Sequence, residues 1–369
     1  MQVPFLNLAA QYQALKDELL PAVEHVLAGG HYILGANVAA FEQEFASHVG
    51  VRFAVGVNSG SDALILALRA LDIGPGDEVV TTPFTYIAPA EAIYAVGAKI
   101  VFADIHSLTF NIHPDQVARR VTARTKAIIP VHLFGLVADL GPILRLAAGR
   151  GIDVIEDGAQ SLGAKVGGVK TGSFGRLGCF SFYPTKNLGA AGDGGMVVTN
   201  DESLARKLRI LRAHGIERRY CHDLHGQNSR LDELQAAILR VKLKRLDAWN
   251  TRRRDIARRY SQNLSGLPLQ LPAPIDDSHV FHVYAIASER RDDLQKFLAD
   301  HGIPTIIYYP QPLHLQKVYA DMGWRPGDFP VAEEISRKIL PLPIYPEMTD
   351  EQIDYVTSTI CQFHKEGRC

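Results

Sequence analysis

Short apolar runs separated by helical stretches fill the first 200 residues, and they constrain this chain more than any other feature. The runs are FAVGV (53–57), EVVTT (78–82), KIVFAD (99–104), KAIIPV (126–131), DVIED (153–157), CFSFY (179–183) and GMVVT (195–199). Helical patterns separate several of them, at Ser61–Leu71, Ile87–Val96 and Leu140–Ala148. A strand that faces water on one side alternates polar with apolar residues, whereas a strand covered on both faces does not. The runs therefore predict a mostly parallel, mixed sheet between layers of helices. An amphipathic helix over 13–28, closed by Gly29-Gly30, precedes them. Beyond residue 200 the pattern changes to helices at 202–213 and 230–260, a strand HVYAIA (282–287) and a helix at 291–301. This divides the chain into a large domain, 1–245, and a smaller C-terminal α+β domain, 246–369. A length of 369 residues exceeds what one ordinary core supports, in keeping with that division.

Composition removes several classes of function. The net charge of −1 offers no basic field for nucleic acid. No stretch reaches the ~20 apolar residues that span a bilayer, and the early charges of MQVPFLNLAAQYQALKDELL do not suit a signal peptide. Cys179, Cys221, Cys361 and Cys369 form no CxxC pair and no zinc spacing, so free thiols, a cytoplasmic location and no metal are expected.

Ligands of open α/β sheets bind at the carboxyl ends of the strands, and three segments there carry chemistry. Asn58-Ser59-Gly60-Ser61-Asp62 joins a strand to a helix. Gly60 permits a tight turn, and Ser61 with the first helical N–H groups can cradle a phosphate; an ordinary N-cap is the plainer reading. Asp157 ends DVIED, where a carboxylate can hold a protonated ring nitrogen, although Asp is also common in turns; its neighbour Glu156 should face the other way. Lys186 follows Ser181-Phe182-Tyr183-Pro184-Thr185 in a turn shaped by Pro184 and Gly189. Most lysines are solvated surface residues, but the glycine-rich 189–195 segment is unusual for a surface turn. Together these groups suit one chemistry. A lysine amine forms an imine with an aldehyde cofactor, a carboxylate keeps the ring protonated, and a helix end holds the cofactor phosphate. Tyr86, at another strand end, is available to stack on a ring.

The stretches GGHYILG (29–35), NSGSDAL (58–64), DEVVTTPFTYIAPAEAI (77–93), VIEDGAQSLGA (154–164), FSFYPTKNLGAAGDGG (180–195) and GQNSRLDELQAAIL (226–239) resemble the nucleotide-sugar aminotransferases of the DegT–StrS type over nearly the whole chain. The resemblance implies the type I fold of enzymes that use pyridoxal 5′-phosphate (PLP). It implies that Lys186 bears the cofactor, that Asp157 pairs with its ring nitrogen and that Gln160 lies near its ring hydroxyl. Gly60, Ser61, Asp62 and Ser181 should hold its phosphate and Tyr86 should stack on it. Asn228 should reach a partner subunit's phosphate in a homodimer with shared sites. Tyr183, Tyr308 and His314 are candidate substrate contacts, with Tyr308 standing where many relatives have His; a structural role for His314 is an equal alternative. FYPTKNLGAAGDGG with NSRLDELQAA and WNTRRRDIARRY is most similar to enzymes that aminate a dTDP-linked 3-keto-6-deoxyhexose with L-glutamate as donor. A UDP- or GDP-linked keto sugar, aminated at carbon 3 or 4, is the alternative.

Other readings fit less well. A dehydratase of this fold would carry His in place of Lys186. A nicotinamide enzyme would show GxGxxG after the first strand, which NSGSDAL lacks. A non-enzymatic regulator on the same fold is disfavoured by the intact Lys186, Asp157 and Gln160. The run Arg252-Arg253-Arg254 with Arg258-Arg259 can steer a diphosphate but reads rather as a solvated helix face or a subunit contact, and Trp249 with Tyr260 as core or interface.

Overall fold

A computed structural model describes residues 1–218 and 220–366; the fourth cysteine, Cys369, lies outside them. The large body comprises α1 (Leu8–Gly29), α2 (Ala36–Val49), β1 (Phe53–Val57), α3 (Gly60–Ala70), β2 (Glu78–Thr81), α4 (Ala88–Ala95), β3 (Lys99–Phe102), α5 (Pro114–Arg120), β4 (Thr125–Ile128), α6 (Leu140–Arg150) and β5 (Asp153–Asp157). It continues through a small hairpin, β6 (Lys165–Val166) with β7 (Val169–Lys170), then β8 (Leu177–Ser181), β9 (Gly195–Thr199) and α7 (Glu202–Leu211). A second hairpin, β10 (Ile216–Arg218) with β11 (Cys221–His222), and α8 (Glu233–Leu243) complete it. Seven strands form one sheet in the order β1-β9-β8-β5-β4-β2-β3. The pairs from β3 to β8 are parallel, and β9 runs antiparallel to both of its neighbours.

Adjacent residues of each strand enter different cores, which explains the unbroken apolar runs. Val79, Ile155 and Val197 pack with α3, α4 and α7 on one face. Val80 and Val154 pack with α5 and α6 on the other face, as Met196 and Val198 do with α2 and α8. Strand alternation thus feeds two helix layers at once.

The C-terminal body holds α9 (Leu246–Asn263), β12 (Tyr284–Ala287), α10 (Arg291–Asp300), α11 (Pro330–Lys338), β13 (Ile339–Leu342) and α12 (Asp350–Glu366). Strands β12 and β13 pair antiparallel. Tyr260, Tyr284, Leu298, Leu340 and Ile360 pack in its own core, joined by Val3 from the N-terminal arm. The expected single helix over 230–260 is two helices, parted at Lys244-Arg245. Tyr260 is a core residue, while Trp249 packs beside Leu15 and Leu19 of α1. No described helix is long and apolar enough to cross a membrane, and no described cluster of His, Cys, Asp and Glu could hold a metal ion.

Helix α2 shows how distant sequence completes an element. Its N-cap is Gly35, which has no side chain to satisfy the first N–H groups. The buried carboxylate of Glu233 does so instead, accepting from Asn37 N at 2.9 Å and Val38 N at 2.8 Å. Two charge-assisted bonds are lost in Glu233→Ala, which should cost about 2–4 kcal/mol in urea unfolding. Glu233→Gln keeps one acceptor oxygen and should cost clearly less.

Candidate active site

A cavity of about 410 Å³ opens at the carboxyl ends of β1, β2 and β5 and at the turn after β8. Ser61, Asp157, Gln160, Ser181, Lys186 and Tyr308 all line it. A larger opening of about 790 Å³ runs along edge strand β3, but its lining has no carboxylate and its lysine, Lys99, is paired with Glu78.

Strand β5 delivers two acids to opposite sides, as alternation requires. Asp157 faces the cavity and is 5% exposed. Its Oδ1 accepts from Ala159 N at 3.0 Å. Burial raises its pKa, opposed by the Ala159 N–H and by the charge of Lys186. Glu156 points away and is fully buried. It accepts from Gly172 N, Phe174 N and Gly175 N at 2.7–2.8 Å and from His132 Nε2 at 3.0 Å. His132 Nδ1 accepts from Ala138 N, so Nε2 must carry the proton that Glu156 receives.

Lys186 stands in a turn closed by its own N–H on the Tyr183 carbonyl. Its amine reaches the cavity, yet the surrounding protein desolvates it strongly. Burial lowers its pKa to about 8, with Asp157 pulling the other way. A lysine with this value is partly neutral near pH 7 and able to act as a nucleophile.

The α3 end of the cavity is built by close approach. Ser59 is the cap of α3, accepting from Asp62 N at 3.1 Å. Ser61 is thereby free to line the cavity, while Asp62 sits outside the lining. A Cβ at Gly60 would lie 2.6 Å from the Ser181 Cβ, and one at Gly195 would lie 2.3 Å from the Ser59 carbonyl oxygen. Only glycine lets β8, β9 and the start of α3 meet this tightly.

The remaining expected residues divide. Gln160 is held between two elements: Oε1 accepts from Phe134 N and Nε2 donates to the Tyr309 hydroxyl at 3.2 Å. Tyr86 and Tyr183 stand at the rim, 60% and 53% exposed. Asn228 is exposed, bridged to Ala213, and does not line the cavity of its own chain. Of the two readings of His314, the structure favours the structural one over the substrate contact: it is 2% exposed, bonded through Nε2 to Glu333 at 3.0 Å, and lies outside the cavity.

Lining residues that were not foreseen include Thr85, Thr185, Asp193, His282 and Tyr309. Tyr309, not Tyr308, is the tyrosine tied to Gln160, and burial pushes its hydroxyl pKa well up. His282 ends a buried relay. Asn250 Nδ2 donates to the Leu162 carbonyl, and Asn187 Nδ2 donates to Asn250 Oδ1 and the Val280 carbonyl. That leaves Asn187 Oδ1 as the acceptor for His282 Nδ1 at 3.2 Å. Burial, then Lys186 and Arg253, hold the His282 pKa well below its usual range, so the ring is neutral.

A desolvated amine, a buried carboxylate, and a helix N-terminus with two serine hydroxyls and a glycine-permitted approach suit an anionic aldehyde cofactor with a basic ring nitrogen. The profile of the DegT/DnrJ/EryC1/StrS aminotransferase family matches residues 13–361. A Geobacillus stearothermophilus protein called pleiotropic regulatory protein is 47% identical, over 99% of each chain. The UDP-N-acetyl-3-dehydro-alpha-D-glucosamine 3-aminotransferase of Acidithiobacillus ferrooxidans is 49% identical over 97% of each. The dTDP-3-amino-3,4,6-trideoxy-alpha-D-glucose transaminase of Streptomyces venezuelae is 46% identical over 95% of this chain and 93% of its own. Among solved structures, S. venezuelae DesV in complex with a ketimine intermediate superposes with a TM-score of 0.97 at 44% identity, covering 98% of each chain. Bacillus subtilis NtdA with bound cofactor PMP gives 0.91 at 31% identity, covering 99% of this chain and 85% of its own.

The Gly60 contact yields a direct test. Gly60→Ala must push Ser181 aside, an overpacking effect of about 1–3 kcal/mol. PLP affinity of the apoprotein should then fall about tenfold or more, with unchanged far-ultraviolet circular dichroism.

Proposed function

This chain belongs to the DegT/DnrJ/EryC1/StrS aminotransferase family, and from that premise we propose that it moves the amino group of L-glutamate to carbon 3 of a dTDP-linked 3-keto-6-deoxyhexose. The observation that carries the reading is the desolvated Lys186 amine beside the buried Asp157 carboxylate. The S. venezuelae transaminase supports carbon 3 and the dTDP carrier by its own named product. A UDP-linked 3-keto sugar is the second reading, favoured by the A. ferrooxidans relative, which also aminates carbon 3. A purely regulatory role, suggested by the G. stearothermophilus name, leaves a preserved amine and carboxylate without purpose.

PLP, when bound, supplies an aldehyde for condensation with amines and a protonated ring that accepts electrons. The protein's part follows from its residues. Lys186 would hold the cofactor through its amine and would hold or return a proton there; a pKa of about 8 suits both duties at neutral pH. Asp157 would keep the ring nitrogen protonated, its carboxylate held by the Ala159 N–H. Gly60, Ser61 and Ser181 would hold the phosphate at the start of α3, where the helix dipole assists. Gln160, fixed by Phe134 and Tyr309, would lie near the ring hydroxyl, and Tyr86 would stack on the ring. Tyr183 and Tyr308 meet the sugar.

We place the enzyme in the cytoplasm as a homodimer whose Asn228 completes the partner's phosphate site. Tyr86, Tyr183 and the exposed Leu20, Leu27, Tyr32 and Ile33 supply apolar surface that a symmetric interface would cover.

Two measurements test these readings. Purified enzyme with glutamate should convert a dTDP-3-keto-6-deoxyhexose to the 3-amino sugar with ping-pong kinetics; product carrying the amine at carbon 4, or turnover confined to a UDP or GDP sugar, refutes the assignment. For the dimer, inactive Lys186→Ala subunits are mixed with Asn228→Asp subunits weak in cofactor binding. If Asn228 serves the partner, exchange creates one intact site per hybrid and activity returns. Exchanged mixtures that stay inactive rule the shared site out.

A further inference from the structure

The arginine run on α9 is not one solvated face. Arg252 and Arg259 pair with Asp350, Arg259 also with Asp354, Arg254 with Asp277 and Arg258 with Asp255. Arg253 is the exception. It is 4% exposed and has no ion-pair partner among the described residues. Its Nη1 donates to the carbonyls of Phe281 at 3.2 Å and Ile344 at 2.8 Å, while its Nε has no partner. The carboxylate that bears on it, Glu347, stands beyond ion-pair distance. Burial brings the Arg253 pKa down only to about 10, so the guanidinium is charged at neutral pH. A buried cation without an anion is costly, and natural structures seldom keep one without a use.

Arg253 lines a second cavity, about 270 Å³ in volume. Its other walls are largely apolar: Phe5 and Leu6 from the N-terminal arm, with Ile306, Leu342 and Ile344. Thr185, His282, Val283 and Tyr308 line both this chamber and the Lys186 cavity, so the two spaces adjoin. Arg253 is the one charged side chain in the chamber lining, because His282 is neutral.

We propose that this chamber seats the distal carboxylate of the amino donor, with Arg253 as its counter-ion. This rests on the aminotransferase reading and deepens it. An amino acid whose amine is at Lys186 can pass its side chain between Thr185 and His282 and end on the guanidinium. A five-carbon dicarboxylate then places its methylenes against the apolar wall and its charge on the unpaired cation. A keto sugar carries no such carboxylate, so Arg253 discriminates the donor and leaves the acceptor untouched.

Glutarate, which has both carboxylates and no amine, is the probe. Titrated calorimetrically into the PLP-loaded enzyme, it should bind, compete with glutamate, and lose affinity about tenfold or more in Arg253→Gln. The KM for glutamate should rise similarly while that for the keto sugar stays within about twofold. Arg253 also supports two carbonyls, so Arg253→Gln could unfold for structural reasons alone. Ile306→Glu avoids this: Ile306 is 45% exposed, and the new carboxylate would occupy the guanidinium without touching those bonds. The same loss of glutarate binding in folded Ile306→Glu supports the proposal. Unchanged glutarate affinity and unchanged KM for glutamate in that variant overturn it while glutamate stands as donor. Wild-type enzyme that ignores glutamate and takes its nitrogen from a different amino acid overturns the donor reading as well.

Discussion

Two acids on consecutive residues of the central strand organise this molecule. Pleating sends Glu156 inward and Asp157 to the cavity. Glu156 receives four hydrogen bonds, three from the 172–175 turn and one from His132. A buried carboxylate is tolerable only when its lone pairs are satisfied. This one therefore fixes the turn that leads into β8 and the 132–135 turn beyond β4. Those turns hold neighbouring parts of the site: Phe134 N bonds Gln160, and the His132 N–H bonds the Asp157 carbonyl. Asp157 depends on its neighbour for its setting, although the two side chains never meet.

The Lys186 loop is secured in the same manner from outside the sheet. Lys242 of α8, itself 7% exposed, donates to the Gly189 carbonyl at 2.8 Å, and Gln235 of the same helix accepts from Ala191 N at 2.8 Å. Asn187, next to the lysine, is bonded to α9 through Asn250 and to the segment before β12 through Val280 and His282. Flanking positions thus carry the restraints, and the lysine amine is left with room to move. A site residue set on rigid neighbours can change partners without the fold changing shape.

The sequence reveals what is local. Apolar runs identified the seven-stranded sheet because every strand is covered on both faces, and Gly60, Asp157 and Lys186 were legible because turn chemistry and strand ends mark them. Helix α2 was not foreseen: its start has no capping side chain, and Glu233 supplies that function from nearly 200 positions away. His282 and Tyr309 escaped for a related reason. Each joins the site through a partner 95 or 149 residues distant, and no local pattern encodes such a pairing. For His314 the sequence left a substrate contact and a structural role equally open, because no local pattern shows that its ring packs on Phe329 and bonds Glu333. The 230–260 stretch read as one helix since nothing but Lys244-Arg245 interrupts it, and neither residue is a breaker.

The balance of charge around the two cavities gives the site its direction. The overall charge is −1, so no global field gathers anions. Locally cations are gathered: Lys186 and Arg253 are both buried there, with His282 neutral beside them, while Asp157 is the carboxylate that bears on Lys186 and Glu347 the one that bears on Arg253. Each cation is penalised by burial. For Lys186 the sign is definite. Its folded pKa, about 8, lies below the ordinary 10.5, so its burial opposes folding most below about pH 8 and ceases to do so above 10.5. The fold tolerates this because an anion that enters the site recovers what burial took away. A site that is unfavourable when empty and relieved by a phosphate or a carboxylate binds such groups more tightly than its surface charge would suggest, and it couples their binding to the stability of the chain around them.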